Sequence, residues 1–575
     1  MRAQIACTHC RKSKVKCENN GLNRPCKACF NAGRACVYGP SESTGQGRRQ
    51  SVLTSRGDPS NGNSSNEPPK SKRSKKTHTP SFEGPIKKEG SVQFSEVFDP
   101  QLLTVPVWEE LVDIFTQHYS VDFPFFHPTR FKKNLYQVPL ATAPAKSLPA
   151  GTPDHPPEFL LAFLALTARH HDRIVARHGS DKHDGVVAAS EHYASEARAR
   201  LDRRGSDALP MKSLIRAQAY LMLSMHEHMM GRGEEAYIYV GRAIEQVHFE
   251  MIHLDQDLDK LSRTSQARGS ESMNPYSQSQ ARREPDEEER VDQEVRRRTL
   301  WSCFSLDKYV SNGEYRPSRL TADQFKTQLP GTDRIFLWGQ NVRTKMLNED
   351  TQKFNERFEK MRELERSLSS GTRPDDRTAH KLPMKVPEPI VEIDDAEGHL
   401  THAIRALDHY GRINLWCCTG GRKSGSEEEK NIPPWDARSK AYQLGRDLED
   451  FERGLPPDLR YNDRNTQIHS SQRATSTSYI IINLVIFLGN FLLHRDYLPC
   501  NPWESVCPKP IGPIEGPRFS YSPGPLYWEE SARRCFRAAR NIVQFLYRCR
   551  ELRILPETPF VAFCAWNATF AGIFL

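Results

Sequence analysis

No apolar run follows Met1, and the longest apolar stretch, "YIIINLVIFLGNFLL" from Tyr479 to Leu493, is broken by Asn483, Gly489 and Asn490. Crossing a bilayer takes about 20 apolar residues, so the stretch is read as a buried core helix and no membrane partner is expected. Without a secretory leader, the expectation is a soluble intracellular chain whose cysteines stay reduced and open to metal. A nucleophile elbow, an HExxH helix and a dinucleotide fingerprint are also missing, so the chain is not read as an enzyme. "CCTGGRKSG", Cys417 to Gly425, has the glycines and lysine of a phosphate loop but neither their order nor the spaced upstream glycine. It is read as an ordinary turn. Cys417 and Cys418 are read as buried helix residues, and His170 and His171 as a polar helix end. Apolar residues make up only 37% of the chain against 27% charged, so sizeable segments are expected to remain unfolded.

What is present is concentrated at one end. Residues 1–90 hold 18 Lys and Arg against 6 Asp and Glu, a balance of +12, while the other 485 residues balance at −3. A basic N-terminal sixth on a near-neutral body is the charge pattern of a nucleic-acid footprint. The same segment holds six of the fourteen cysteines, Cys7, Cys10, Cys17, Cys26, Cys29 and Cys36, spaced C-x2-C-x6-C-x8-C-x2-C-x6-C. Each half offers three thiolates, one short of a tetrahedral zinc site. Six sulfurs complete two tetrahedra only if two of them bridge, so the spacing suggests two zinc ions in one cluster, with His9 outside it. Two zincs and six thiolates carry a net negative charge that would repel DNA. Arg11, Lys12, Lys14 and Lys16, with Arg24, Lys27 and Arg34, reverse it. So small a unit cannot bury a useful apolar core, and metal binding must supply most of its folding free energy.

The cysteine pattern, "CRKSKVKC" and the proline before the fourth cysteine resemble the fungal binuclear zinc cluster transcription factors over about residues 7–38. The resemblance implies a cluster with two short helices in which Cys7 and Cys26 bridge the metals. It also implies a helix after the second cysteine that enters the major groove of double-stranded DNA and reads a CGG-type triplet. Lys14 would contact bases and Arg11 and Lys16 phosphates; Ser13 stands where the family often has a basic residue, and Lys12 is the substitute.

Residues 40–97 are read as a disordered basic linker after a cluster domain over 1–39. No heptad follows the cluster, so a homodimer, if formed, is expected through the later helical part. "PPKSKRSKK" presents Lys70, Lys72, Arg73, Lys75 and Lys76 as a nuclear-import cluster, giving a nuclear location.

From residue 98 to 575 the pattern is helical. Val107, Leu111, Phe115 and Tyr119 recur every four residues, and "EFLLAFLALTARHH" and "SLIRAQAYLMLSMHEHMM" are apolar nearly all round. A large all-α helical array is expected, with disordered insertions near 257–292 and 365–397. "FPFFHPTRF", "GRGEEAYIYVGRAIEQVHFEMIHLD", "RRRTLWSCFSLDKYVSNGEYRP" and "LLHRDYLP", in this order, resemble the same family's middle homology regulatory domain. That resemblance implies regulation, sometimes by a small-molecule effector, through the transcription machinery or co-regulators. The chain stops in "PFVAFCAWNATFAGIFL", an apolar helix that either closes the core or marks a truncation. The reading is a zinc-dependent, sequence-specific transcription factor for RNA polymerase II genes. Its alternative is a zinc-storing or redox-sensing thiolate protein, which would not need basic spacers.

Overall fold

The structure, a computed structural model, describes residues 17, 26–32, 97–133, 135–136, 152–178, 185–203, 210, 213–254, 286–311, 315–370, 389–495, 497 and 526–574. The chain divides into two units, Met1–Lys88 and Glu89–Leu575. In the first, the described residues form one short helix, α1 (Lys27–Asn31). Of residues 40–97, read as linker, 40–96 lie outside the described residues, and Val97 is buried in the core of the second unit, which corrects that bound.

The second unit is a helical array. α2 (Val105–Tyr119) buries Val107, Leu111, Phe115 and Tyr119, the stripe expected from their spacing. α3 (Pro157–Thr167) starts on a proline, where the missing N–H costs nothing, and buries every residue from Glu158 to Thr167. It packs on α4 (Gly185–Leu201) and α5 (Leu214–Met229). α5 turns into α6 (Gly233–Phe249) through Gly231, whose φ of 74° is left-handed and suits glycine. The Ser224 hydroxyl closes that hairpin by donating to the Ala236 carbonyl at 2.9 Å.

α7 (Glu287–Val310) starts inside the stretch read as an insertion at 257–292, so that boundary is corrected to residue 285 at the latest. Asp286 and Glu289 form a reciprocal capping box, and three glutamates occupy the positive end of the helix. The "DEEER" run is therefore a helix start. The second insertion is trimmed likewise: α8 (Thr351–Ser370) runs past residue 365, and a strand occupies Ile390–Glu392. That strand, β2, pairs in parallel with β1 (Val342–Thr344), Val342 opposite Ile390, the one departure from an all-helical body among the described residues.

α9 (His399–Cys418), α10 (Lys440–Gly454), α11 (Arg473–Arg495), α12 (Tyr527–Glu551) and α13 (Pro559–Phe574) complete the array, with α11 central to it. Thr475–Arg495 is long and apolar enough to cross a membrane, yet 94% of that window is buried inside the fold. This is the core helix expected over Tyr479–Leu493. Its polar interruptions have structural uses. Asn483 donates to the Leu459 and Tyr479 carbonyls at 3.1 and 2.8 Å. Gly489 leaves room for Leu448 of α10 and Ile413 of α9, which a Cβ there would meet at 2.8 and 3.1 Å. α13 buries Phe560, Val561, Cys564, Ala568 and Ala571 and exposes Trp566 and Phe570.

The array also closes over long distances in sequence. The Glu557 N–H donates to His118 Nδ1 at 3.1 Å, and the Thr477 hydroxyl to the Gln117 carbonyl at 3.2 Å.

Candidate metal centre and nucleic-acid interface

Three of the six expected metal ligands, Cys17, Cys26 and Cys29, fall among the described residues, and all three are buried. Cys26 is the extended N-cap of α1, with φ −67° and ψ 156°, and its carbonyl accepts the Phe30 N–H at 2.9 Å. The Cys26 side chain does not cap the helix. Cys29 follows one helical turn later, which carries its sulfur to the same side.

Burial in this segment is inverted with respect to hydrophobicity. Cys26 and Cys29 are 0% exposed, whereas Phe30, its largest apolar residue, is 70% exposed. Lys27, Ala28, Asn31 and Ala32 are exposed as well. A segment built on an apolar core would bury the phenylalanine first. One that turns its sulfurs inward and leaves Phe30 and Lys27 in solvent fits a soft thiolate-bound metal, and the donor set is what zinc selects. The residues present therefore fit the implied zinc, which would be held by thiolates and would supply folding free energy rather than reactivity.

Cys7, Cys10 and Cys36, the basic residues Arg11, Lys12, Lys14 and Lys16, and the import cluster Lys70, Lys72, Arg73, Lys75 and Lys76 lie outside the described residues.

In the helical body His170 and His171 each sit against side chains of α2. His170 stacks on His118 with ring centroids 4.4 Å apart and its Nε2 lies 3.1 Å from the Tyr119 hydroxyl, while His171 Nε2 sits 2.9 Å from Glu110 Oε2. Among the described residues no group of three or more metal-ligating side chains is poised to hold an ion. Cys417 and Cys418, expected to be buried, are instead half-buried and exposed on the last turn of α9. Partial desolvation still raises the Cys418 thiol above its ordinary pKa, the opposite of an activated redox thiol.

The motif segments of the body converge on two buried charged side chains of α7. Arg298 of α7, 1% exposed, donates to Glu294 Oε1 at 3.0 Å, Asp333 Oδ1 at 2.8 Å and the Gly331 carbonyl at 2.8 Å. It also reaches the Pro124 carbonyl in "FPFFHPTRF" at 3.1 Å. At the other end of α7, the fully buried Asp307 accepts from the Arg319 and Leu320 N–H groups and the Ser318 hydroxyl at 2.6–3.1 Å. Sequence reasoning did not single out these two residues. The Glu294/Arg298 spacing of four on a helix was the available signal.

Comparison with known proteins gives two family matches. The model described as fungal Zn(2)-Cys(6) binuclear cluster domain matches residues 5–44, and that described as fungal specific transcription factor domain matches residues 112–376. Among curated proteins, a Zn(2)-C6 fungal-type transcription factor, FTF1c, of Fusarium oxysporum f. sp. lycopersici is 21% identical over 80% of this chain and 40% of its own length. An uncharacterised transcriptional regulatory protein of Schizosaccharomyces pombe is 24% identical over 91% of this chain and 65% of its own. The chain thus spans about two fifths of the curated relative it matches first. No solved structure matches.

Proposed function

Because the chain belongs to the fungal Zn(2)-Cys(6) transcription factors, whose cluster and regulatory domains it carries in order, we propose that it is a nuclear regulator of RNA polymerase II genes. Its DNA-reading part would be residues 1–39 and its regulatory part the helical body from 98. Cys7, Cys10, Cys17, Cys26, Cys29 and Cys36 would hold two zinc ions, with Cys7 and Cys26 shared between them. Lys14 would read a CGG-type triplet, Arg11 and Lys16 would hold the backbone, and Lys12 would supply the base or phosphate contact that Ser13 cannot. Lys70, Lys72, Arg73, Lys75 and Lys76 would carry import. Co-regulators, a small-molecule effector and a second copy of the chain would engage the helical body. The observation that carries the metal reading is the burial of Cys26 and Cys29 beside an exposed Phe30. The basic balance of +12 over residues 1–90 supports the DNA partner over a thiolate store, which gains nothing from cationic spacers.

The test is anisotropy of a labelled CGG duplex with the full chain, alongside native mass spectrometry. Binding is expected to vanish on chelation and return with zinc, and Cys26→Ser is expected to lose both metals rather than one. Zinc uptake without DNA binding would move the reading to the thiolate store, and a single zinc per chain would end the binuclear one.

A further inference from the structure

α12 packs on α11 and buries Cys535, Ala538, Ala539, Ile542, Phe545 and Cys549. A helix seated this way is expected to present a polar back to solvent. The back of α12 is not polar. Phe536, Val543 and Tyr547 stand on it, 38%, 52% and 65% exposed. They recur at i, i+7 and i+11, so they form one line along the helix rather than scattered single exposures.

The unanswered charge beside that line is all positive. Six of the 25 residues of α12 are arginine and none is lysine. Arg533 pairs with Glu529 at 2.7 Å, Arg534 with Glu449 of α10 at 2.7 Å and Arg548 with Glu551 at 3.1 Å. Arg537, Arg540 and Arg550 are exposed, and their side chains meet no carboxylate or hydrogen-bond acceptor among the described residues. Arg540 is four residues from Phe536 and three from Val543, and Arg550 is three from Tyr547, which makes them neighbours on the helix surface. A row of apolar side chains with free guanidiniums beside it is left over once the fold itself is satisfied.

That combination narrows the partner. An isologous pairing of two copies through this face would set arginines against arginines with no acid to answer them. A phosphate backbone takes the cations but offers nothing to three large apolar side chains. A helix lying in a membrane surface buries its main apolar face in lipid, and that face of α12 is already buried in the core. Arginine beside aromatic side chains, without lysine, is the composition of protein–protein contacts.

We propose that the outer face of α12 docks an acidic amphipathic helix of a partner protein. The partner's apolar seam packs along Phe536, Val543 and Tyr547, and its flanking carboxylates take Arg537, Arg540 and Arg550. The binding stands by itself; that the partner is a co-regulator rests on the function proposed above.

The experiment is fluorescence anisotropy of a labelled acidic peptide, a leucine seam flanked by glutamates, titrated with the full chain. Two control peptides keep its length: one scrambles the order, and one has lysine for every glutamate. The scrambled control matters because the basic balance of +12 over residues 1–90 attracts any polyanion. The ordered acidic peptide is expected to bind at least about tenfold more tightly than either control. Arg540→Glu and Tyr547→Ala are each expected to weaken it about tenfold or more, and Arg540→Glu to improve binding of the lysine peptide. Both side chains are exposed, so neither variant should shift the thermal melt. Equal binding of the scrambled peptide overturns the proposal. So does no binding at all, or binding untouched by Arg540→Glu. Uptake on phosphatidylserine vesicles that depends on Arg540, without peptide binding, assigns the face to a membrane and overturns it too. Affinity for the CGG duplex is measured on the same samples, and its loss with peptide binding intact removes only the DNA reading.

Discussion

Arg298 donates to the carbonyl of Pro124, a residue 174 positions earlier, at 3.1 Å. The same guanidinium satisfies the Gly331 carbonyl, Asp333 and the buried Glu294, and stands 4.1 Å above the Phe336 ring. One planar cation thus holds three separate stretches of chain at the start of the array.

Removing it should be costly. Arg298→Ala leaves Glu294 and two carbonyls short of donors in the interior, and breaking a buried pair in this way costs about 3–5 kcal/mol. The urea midpoint of the full chain is expected to fall accordingly. Arg298→Lys should recover only part of the loss, since an ammonium keeps the charge but not the fork that serves several acceptors at once. An unchanged midpoint for the alanine variant would show that the network contributes nothing net.

Close packing around α11 gives a second expectation. A Cβ at Gly489 would lie 2.8 Å from Leu448 and 3.1 Å from Ile413, so Gly489→Val must push two helices apart. Overpacking of this kind costs about 1–3 kcal/mol. A lower melting temperature in scanning calorimetry checks it; a gain in stability would mean that the crossing is looser than the distances say.

A third expectation concerns pH. Burial pushes the Asp122 carboxyl up from 3.8 to about 7, against a smaller opposing effect of the Tyr309 hydroxyl. Between about 4 and about 7 the folded chain keeps a proton that the unfolded chain has released, so this group's contribution is present at low pH and lost as pH rises. Asp122→Asn cannot lose it. The variant's stability relative to the parent should grow from pH 4 to 7 and level off above. Denaturation curves at pH 4, 5.5, 7 and 8 read this directly, and a constant difference would place Asp122 in contact with water.

A fourth separates reading from holding on the DNA side of the proposed function. A lysine on guanine acceptors carries sequence information, so Lys14→Ala should cost about 1–3 kcal/mol on a CGG site and relax discrimination there. Lys16→Ala, a phosphate contact, should weaken all sequences alike and reduce the salt slope by roughly one. Titrations against CGG and scrambled duplexes at several salt concentrations test the pair. Full discrimination in Lys14→Ala with loss in Lys12→Ala would shift the helix register.

The parts of the fold that were legible from sequence are those whose signal is local. The stripe Val107, Leu111, Phe115, Tyr119 and the apolar run around Ile482 state their burial within a few helical turns. The six-cysteine spacing is a local signal too, and chemistry rather than packing made it readable. "PDEEER" misled because charge was weighed above the Asp-x-x-Glu cap that starts α7. β1 and β2 were invisible for another reason: three-residue parallel strands with dozens of residues between them have no period and no turn to announce them.

The bond from Glu557 to His118 spans 439 positions. Chains are synthesised at about 5–20 residues per second, so His118 leaves the ribosome roughly 20–90 seconds before its partner exists. Throughout that interval α2 has been made but lacks its closing contacts with α11 and the turn before α13. The array cannot finish folding as it is made. A nascent chain must be kept from aggregating until residue 557 emerges, and the rate of translation becomes part of how much folded protein a cell obtains.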